Sequence, residues 1–86
     1  MSDLKGRVAL VTGGGRDVGA AICKMLAECG ANIAVNYHSS KAEADAVAAE
    51  IAKAGGKAKA YQADISDANV VKKMIADIKG DFGRLD

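Results

Sequence analysis

An α/β fold built on a parallel sheet is what this sequence predicts, on three observations. Short apolar runs alternate with longer stretches of helical periodicity. The first run, from Val8 to Thr12, is apolar without in-and-out alternation, and a glycine cluster, Gly13-Gly14-Gly15, parts it from the helical stretch that follows. An unalternated apolar run suits a strand covered on both faces, as strands of parallel sheets are. Strand then helix, repeated, requires right-handed crossovers between parallel strands, in the order β-α-β-α-β-α.

Each element carries its own signal. Between Asp17 and Cys29 the residues Val18, Ile22, Met25, Leu26 and Cys29 recur at helical spacing, with Gly30 as the C-terminal cap. Ile33 to Tyr37 forms the second strand. Ser40-Lys41-Ala42-Glu43 matches a capping box that opens an alanine-rich helix with Val47, Ile51 and Ala54 on one face, and Gly55-Gly56 ends it. Ala58 to Ala63 is the third strand, and Lys57 and Lys59 mark it as a sheet edge. Ser66 is placed as the N-cap of a third helix whose apolar face is Val70, Val71, Met74, Ile75 and Ile78. That helix runs out near Gly80 or Asp81, and Phe82 to Asp86 reads as a loop leading onward.

Composition removes several classes of function. The 86 residues fit one small domain, with no linker or repeat to divide them. Twelve basic residues against eleven acidic ones leave a charge of +1 with no basic stripe, and Tyr37, Tyr61 and Phe82 are the only aromatics, so nucleic acid is not an expected partner. No apolar run approaches the roughly 20 residues that span a bilayer. The polar stretch Met1 to Arg7 leads directly into a strand, which gives the expectation of no leader and a cytoplasmic protein. Cys23 and Cys29 lie six apart in a helical stretch and read as reduced packing residues, and the single histidine, His38, cannot anchor a metal site.

The chemistry is concentrated in the turn Thr12-Gly13-Gly14-Gly15-Arg16-Asp17-Val18-Gly19. Such a turn aims free backbone N–H groups and the positive end of a helix dipole at one point, which suits a phosphate or diphosphate. Glycine lets the ligand approach the backbone closely. The spacing is not G-x-G-x-x-G, because Val18 stands where a third glycine would be needed, and no Gly-Lys-Ser or Gly-Lys-Thr closes the turn as in a nucleoside-triphosphate loop.

What fits is T-G-x-x-x-G-x-G, and in it the chain resembles the short-chain dehydrogenase/reductase family, most closely its 3-oxoacyl-carrier-protein reductases. Gly13 and Gly19 match the outer glycines; Asp17 replaces the middle one. That carboxylate either caps the helix while pointing away from the ligand or repels the diphosphate. The likeness covers nearly the whole chain: Gln62-Ala63-Asp64-Ile65-Ser66 corresponds to the acidic position after the third strand, and Phe82-Gly83-Arg84-Leu85-Asp86 to the phrase before the fourth. It implies that residues 1–86 are a partial dinucleotide-binding (Rossmann) domain, the N-terminal part of a doubly wound parallel sheet with strand order 3-2-1. The site residues it implies are Thr12, Gly13, Gly15, Arg16, Asp17, Val18 and Gly19 in the turn, Asn36, Tyr37, His38 and Ser39 after the second strand, and Asp64 and Ile65 after the third. In the family the carboxylate at Asp64 accepts a hydrogen bond from the adenine amino group, with the backbone of Ile65 alongside.

NADP rather than NAD is the expected cofactor. Seventeen residues past Gly19, where an NAD enzyme places an acid for the ribose hydroxyls, stands Asn36. No charge there repels a 2′-phosphate, Arg16 offers a planar fork to pair with it, and His38, Ser39, Ser40 and Lys41 add donors. The family's chemistry uses a tyrosine and a lysine four apart, a serine and an asparagine, none of which is matched here. Tyr37 and Lys41 have the spacing but stand at the adenosine end, out of reach of a nicotinamide. Two functions are therefore expected: the cofactor-binding part of an NADP-dependent carbonyl reductase, acting on a substrate such as a 3-oxoacyl thioester and inactive as this chain alone, or a non-catalytic nucleotide-binding module or gene remnant. The first strand, left at the sheet edge, is expected to drive self-association through Val8 to Thr12, or homo-oligomers in a longer form.

Overall fold

A computed structural model describes residues 4–13 and 17–86, and of Asp17 only the backbone. The chain runs β1 (Val8–Val11), α1 (Asp17–Glu28), β2 (Asn32–Tyr37), α2 (Lys41–Lys53), β3 (Ala58–Gln62) and α3 (Ala68–Phe82). The strands form one parallel sheet in the order β1-β2-β3, with Val8 opposite Asn32 and Ile33 opposite Ala58. This is the predicted α/β architecture of the Rossmann type.

Alternation along the strands sorts the core into two layers. Ile33 and Val35, with Ala9, Val11, Ala58 and Ala60, face α1 and α2, meeting Cys23, Ala44, Val47 and Ile51. Val8, Leu10, Ala34, Tyr61 and Ala63 face the other way, against Met74 and Ile78 of α3. Central β2 is thus covered on both sides, and Ile33, Ala34 and Val35 are fully buried. Burying Ile33 and Val35 stabilises the fold by about 1.5–3 kcal/mol each relative to exposure. At the end of α1, Gly30 takes φ +100°, and a Cβ there would stand 3.0 Å from the Lys5 Cα, so the sharp return into β2 requires glycine.

Several local expectations are corrected. Val18, Ile22 and Met25 do not pack inward: they are 72%, 42% and 64% exposed, and the buried face of α1 is Cys23 with Ala20, Leu26 and Ala27. Small residues let α1 lie close to the sheet, while the larger apolar ones ride on its outer side. Ser40 precedes α2 but makes no side-chain capping bond, and Ala44 rather than Ala54 joins Val47 and Ile51 on the buried face. The N-cap of α3 is Asp67, not Ser66: its carboxylate accepts from the amides of Asn69 and Val70. The helix continues past Asp81 to Phe82 and ends at Gly83, which is left-handed at φ +86°.

The stretch after α3 is held against the sheet. Leu85 packs with the α3-side cluster, the Asp86 N–H donates to the Val8 carbonyl, and the Val8 N–H donates to Asp86 Oδ2, both at 2.9 Å. The edge of β1 is therefore not wholly bare.

Candidate functional site

Because the three strands are parallel, the turns that follow them open at one edge of the sheet: Thr12-Gly13 after β1, His38 to Ser40 after β2, and Asp64 to Asp67 after β3. Ligands of open α/β sheets bind at this carboxyl edge. Here the sequence motifs that lie 50 residues apart, at Gly13 and Ala63, come to the same edge of the sheet, with β2 between them.

The turn after β1 begins with exposed Thr12 and Gly13, and Gly13 adopts φ +64°. Among the described residues nothing lies within 4 Å of where its Cβ would be, and the positive φ is what calls for glycine there. Gly15 and Arg16 fall outside the described residues. Asp17 is the first residue of α1, Val18 is exposed and Gly19 lies in the first turn. The N-terminus of α1, the positive end of its dipole, stands at the carboxyl edge of the sheet.

After β2 the structure reassigns Asn36. Its side chain is only 3% exposed and points to the α3 face, sharing the side of Ala34 as strand alternation dictates. Its Nδ2 donates toward the carbonyls of Tyr61 and Ala63, at 3.4 and 3.3 Å, with Met74 Sδ at 3.5 Å. In that position the carboxamide is engaged by partners within the chain. The groups that face outward at this strand end are half-buried Tyr37 and exposed His38 and Ser39. No acid occurs from Asn36 to Lys41, and Lys41 pairs with Asp45 at 2.7 Å, which raises its pKa above the ordinary lysine value.

After β3, exposed Asp64 forms a tight turn. Its Oδ1 accepts from the Ser66 hydroxyl at 2.6 Å and the Ser66 amide at 2.9 Å, and these bonds hold its pKa below the ordinary aspartate value. Oδ2 makes no bond among the described residues. Ile65 is 59% exposed beside it. The β2 and β3 turns are tied together by Gln62 Nε2, which donates to the His38 carbonyl at 3.2 Å, and by the Ala63 N–H, which donates to the Tyr37 carbonyl at 2.9 Å.

This rim can receive an anion at the α1 terminus and a purine amino group at Asp64. A groove of about 340 Å³ between α1 and α2, lined by Lys24, Glu28, Glu50 and Ile51, is bridged by a Lys24–Glu50 ion pair of 2.6 Å and lies apart from the strand-end turns.

Sequence reasoning missed the inward turn of Asn36 and the cap at Asp67. Period-two alternation from buried Ala34 was a signal for the first. For the second, aspartate two residues before Asn69 satisfies the capping rule as well as serine does.

Comparison with known proteins matches residues 7–86 to the short chain dehydrogenase family. An uncharacterized oxidoreductase of Methylorubrum extorquens is 54% identical over 86 residues, all of this chain and 35% of its own length. A 3-oxoacyl-[acyl-carrier-protein] reductase of Staphylococcus aureus is 49% identical over 78 residues, 91% of this chain and 32% of its own. Among solved structures, a dehydrogenase/reductase from Sinorhizobium meliloti superposes with TM-score 0.93 at 44% identity, covering 96% of this chain and 33% of its own. A short chain dehydrogenase from Burkholderia cenocepacia in complex with NADP gives 0.92 at 46% identity, covering 96% and 34%. The chain spans about a third of the length of these relatives.

Proposed function

The chain belongs to the short-chain dehydrogenase family, and from that premise we propose that it binds NADP(H) across the carboxyl edge of its sheet, as the cofactor-holding part of a carbonyl reductase. The observation that carries this reading is the meeting of three strand-end turns on one rim, with the α1 N-terminus at one end and the Asp64 turn at the other. The amides from Gly13 to Gly19 would hold the diphosphate. Asp64 would accept from the adenine amino group beside Ile65. Tyr37, His38 and Ser39 would border the ribose, with Arg16 pairing the 2′-phosphate. The preference for NADP over NAD rests on the absence of any acid from Asn36 to Lys41, and the NADP complex of the Burkholderia relative supports it.

When bound, the dinucleotide supplies hydride. This chain's part is to orient it and to select the phosphorylated form. The likeness to 3-oxoacyl reductases suggests a thioester carbonyl as substrate. No tyrosine–lysine pair stands where a nicotinamide would lie, so the reading includes no turnover by these 86 residues alone.

Fluorescence titration with NADPH and NADH tests it. The expected result is saturable binding, at least tenfold tighter for NADPH, and no NADPH oxidation on adding a 3-oxoacyl thioester. Equal affinity for NADH would overturn the NADP assignment, and no binding of either would overturn the cofactor site.

A further inference from the structure

We infer that Asn36 is a positioning residue for the adenosine end of the site: its buried carboxamide holds the carbonyl of Ala63 and thereby sets where the Asp64 carboxylate stands. The inference rests on the cofactor reading above for its functional meaning, and on the geometry of the strand ends for its mechanism.

Asn36 is the buried polar residue among the described ones, at 3% exposure, and it meets Tyr61, Ala63 and Met74 of the α3-side cluster. A carboxamide in such surroundings persists only when its hydrogen bonds are made there. Two N–H hydrogens face four acceptors, and the nearest are the carbonyls of Ala63 at 3.3 Å and Tyr61 at 3.4 Å; Tyr37 O and Met74 Sδ stand at 3.5 Å. The side chain thus reaches from β2 across to β3, past the last paired residues, Tyr37 and Gln62.

Ala63 is the consequence. Its N–H is fixed on the Tyr37 carbonyl at 2.9 Å and its carbonyl on Asn36, so both backbone groups are held where the ladder has ended. The next residue is Asp64, whose turn onto Ser66 starts from that fixed peptide. An apolar side chain at position 36 would fill the same volume but leave the Ala63 peptide free to rotate, and Asp64 would turn with it. The Met74 contact ties the same point to α3.

The test compares Asn36→Leu with the unchanged chain by two readouts. Competition titrations against NADPH use adenosine 2′,5′-bisphosphate, which engages the adenosine end, and inorganic pyrophosphate, which engages the glycine turn. Amide hydrogen exchange reports the turn itself through the Ser66 N–H and the sheet through Val35 and Tyr61. The expected result is about a tenfold loss for the bisphosphate, 1.4 kcal/mol by the thermal conversion, with pyrophosphate affinity changed less than twofold. Ser66 exchange is expected to accelerate while Val35 and Tyr61 keep their protection.

Asn36→Thr, β-branched as strands favour and carrying one donor, is expected to lose less, and it serves as the comparison if the leucine variant does not fold. Equal losses for both ligands together with faster exchange throughout would reduce Asn36 to a general stabiliser and overturn the inference. So would unchanged bisphosphate affinity. If the unchanged chain binds no dinucleotide, the cofactor reading falls by itself, and Ser66 exchange still decides whether Asn36 holds the turn.

Discussion

The two edges of the sheet are finished differently. At β3, the edge strand, Lys57 lies over the Phe82 ring at 6.0 Å and Lys59 over Tyr61 at 5.5 Å. Lys59 and the Tyr61 hydroxyl meet on Asp81 Oδ2, at 2.9 and 2.7 Å. Charged side chains folded over an edge strand discourage another strand from pairing there. On the outer side of β1, among the described residues, Asp86 brackets Val8 with two bonds, and Arg84 pairs with Asp86. By strand alternation the N–H and carbonyl of Leu10 point the same outward way as those of Val8, beyond this bracket. One edge is flanked by charged side chains, and at the other Asp86 pairs with Val8 alone among the described residues. Near it α1 displays Val18, Ile22 and Met25.

The largest expected effect follows from that asymmetry. The chain should self-associate through β1, giving a concentration-dependent species larger than the monomer in sedimentation velocity. Leu10→Pro, which removes an outward N–H without touching the ladder to β2, should return it to monomer. A monodisperse unchanged chain at high concentration would break the comparison.

On the β3 edge, Tyr61→Phe removes the hydroxyl that Asp81 accepts. Burial and that bond both push the Tyr61 pKa up, so the phenol stays protonated through the neutral range. The variant should lose about 0.5–1 kcal/mol in urea unfolding, the lower part of the range reflecting a half-exposed acceptor.

Acid should loosen both edges together. Asp81 is held below the ordinary aspartate value by the Tyr61 hydroxyl and Lys59, and Asp86 by Arg84 and the Val8 amide. A carboxyl whose folded pKa is depressed stabilises fully above its unfolded value, near 4, and loses that contribution as pH falls through the folded value. The thermal midpoint should therefore fall below about pH 4, and Asp86→Asn should make that fall shallower. An identical acid profile for the variant would show that the Asp86 bracket contributes nothing. The smallest effect is expected at Met25→Lys, where an exposed side chain is exchanged: stability should stay within about 0.5 kcal/mol while association weakens.

How far the sequence reached can be judged at particular residues. The strand-turn-helix order was legible because it depends on local chemistry: apolar runs, helical periodicity and backbone conformations that need glycine; the Asp64 turn onto Ser66 and the Asp67 cap were not read from it. The helix faces were legible in part. Val47, Ile51, Met74 and Ile78 were placed on buried faces and are buried, but periodicity alone put Val18 and Met25 inside α1, where the smaller Cys23 and Ala27 make the contact. Spacing identifies a stripe; the distance between helix and sheet decides which stripe fits.

Sequence by itself determined the parallel α/β order and the family, since both follow from motifs whose residues interact within a few positions. Tertiary structure alone decided that Asn36 turns inward to Ala63 and that Asp86 returns to Val8, partners 27 and 78 positions away. Hydrogen bonds over such separations leave no periodic trace in the chain, because their geometry exists only once the strands have been set side by side.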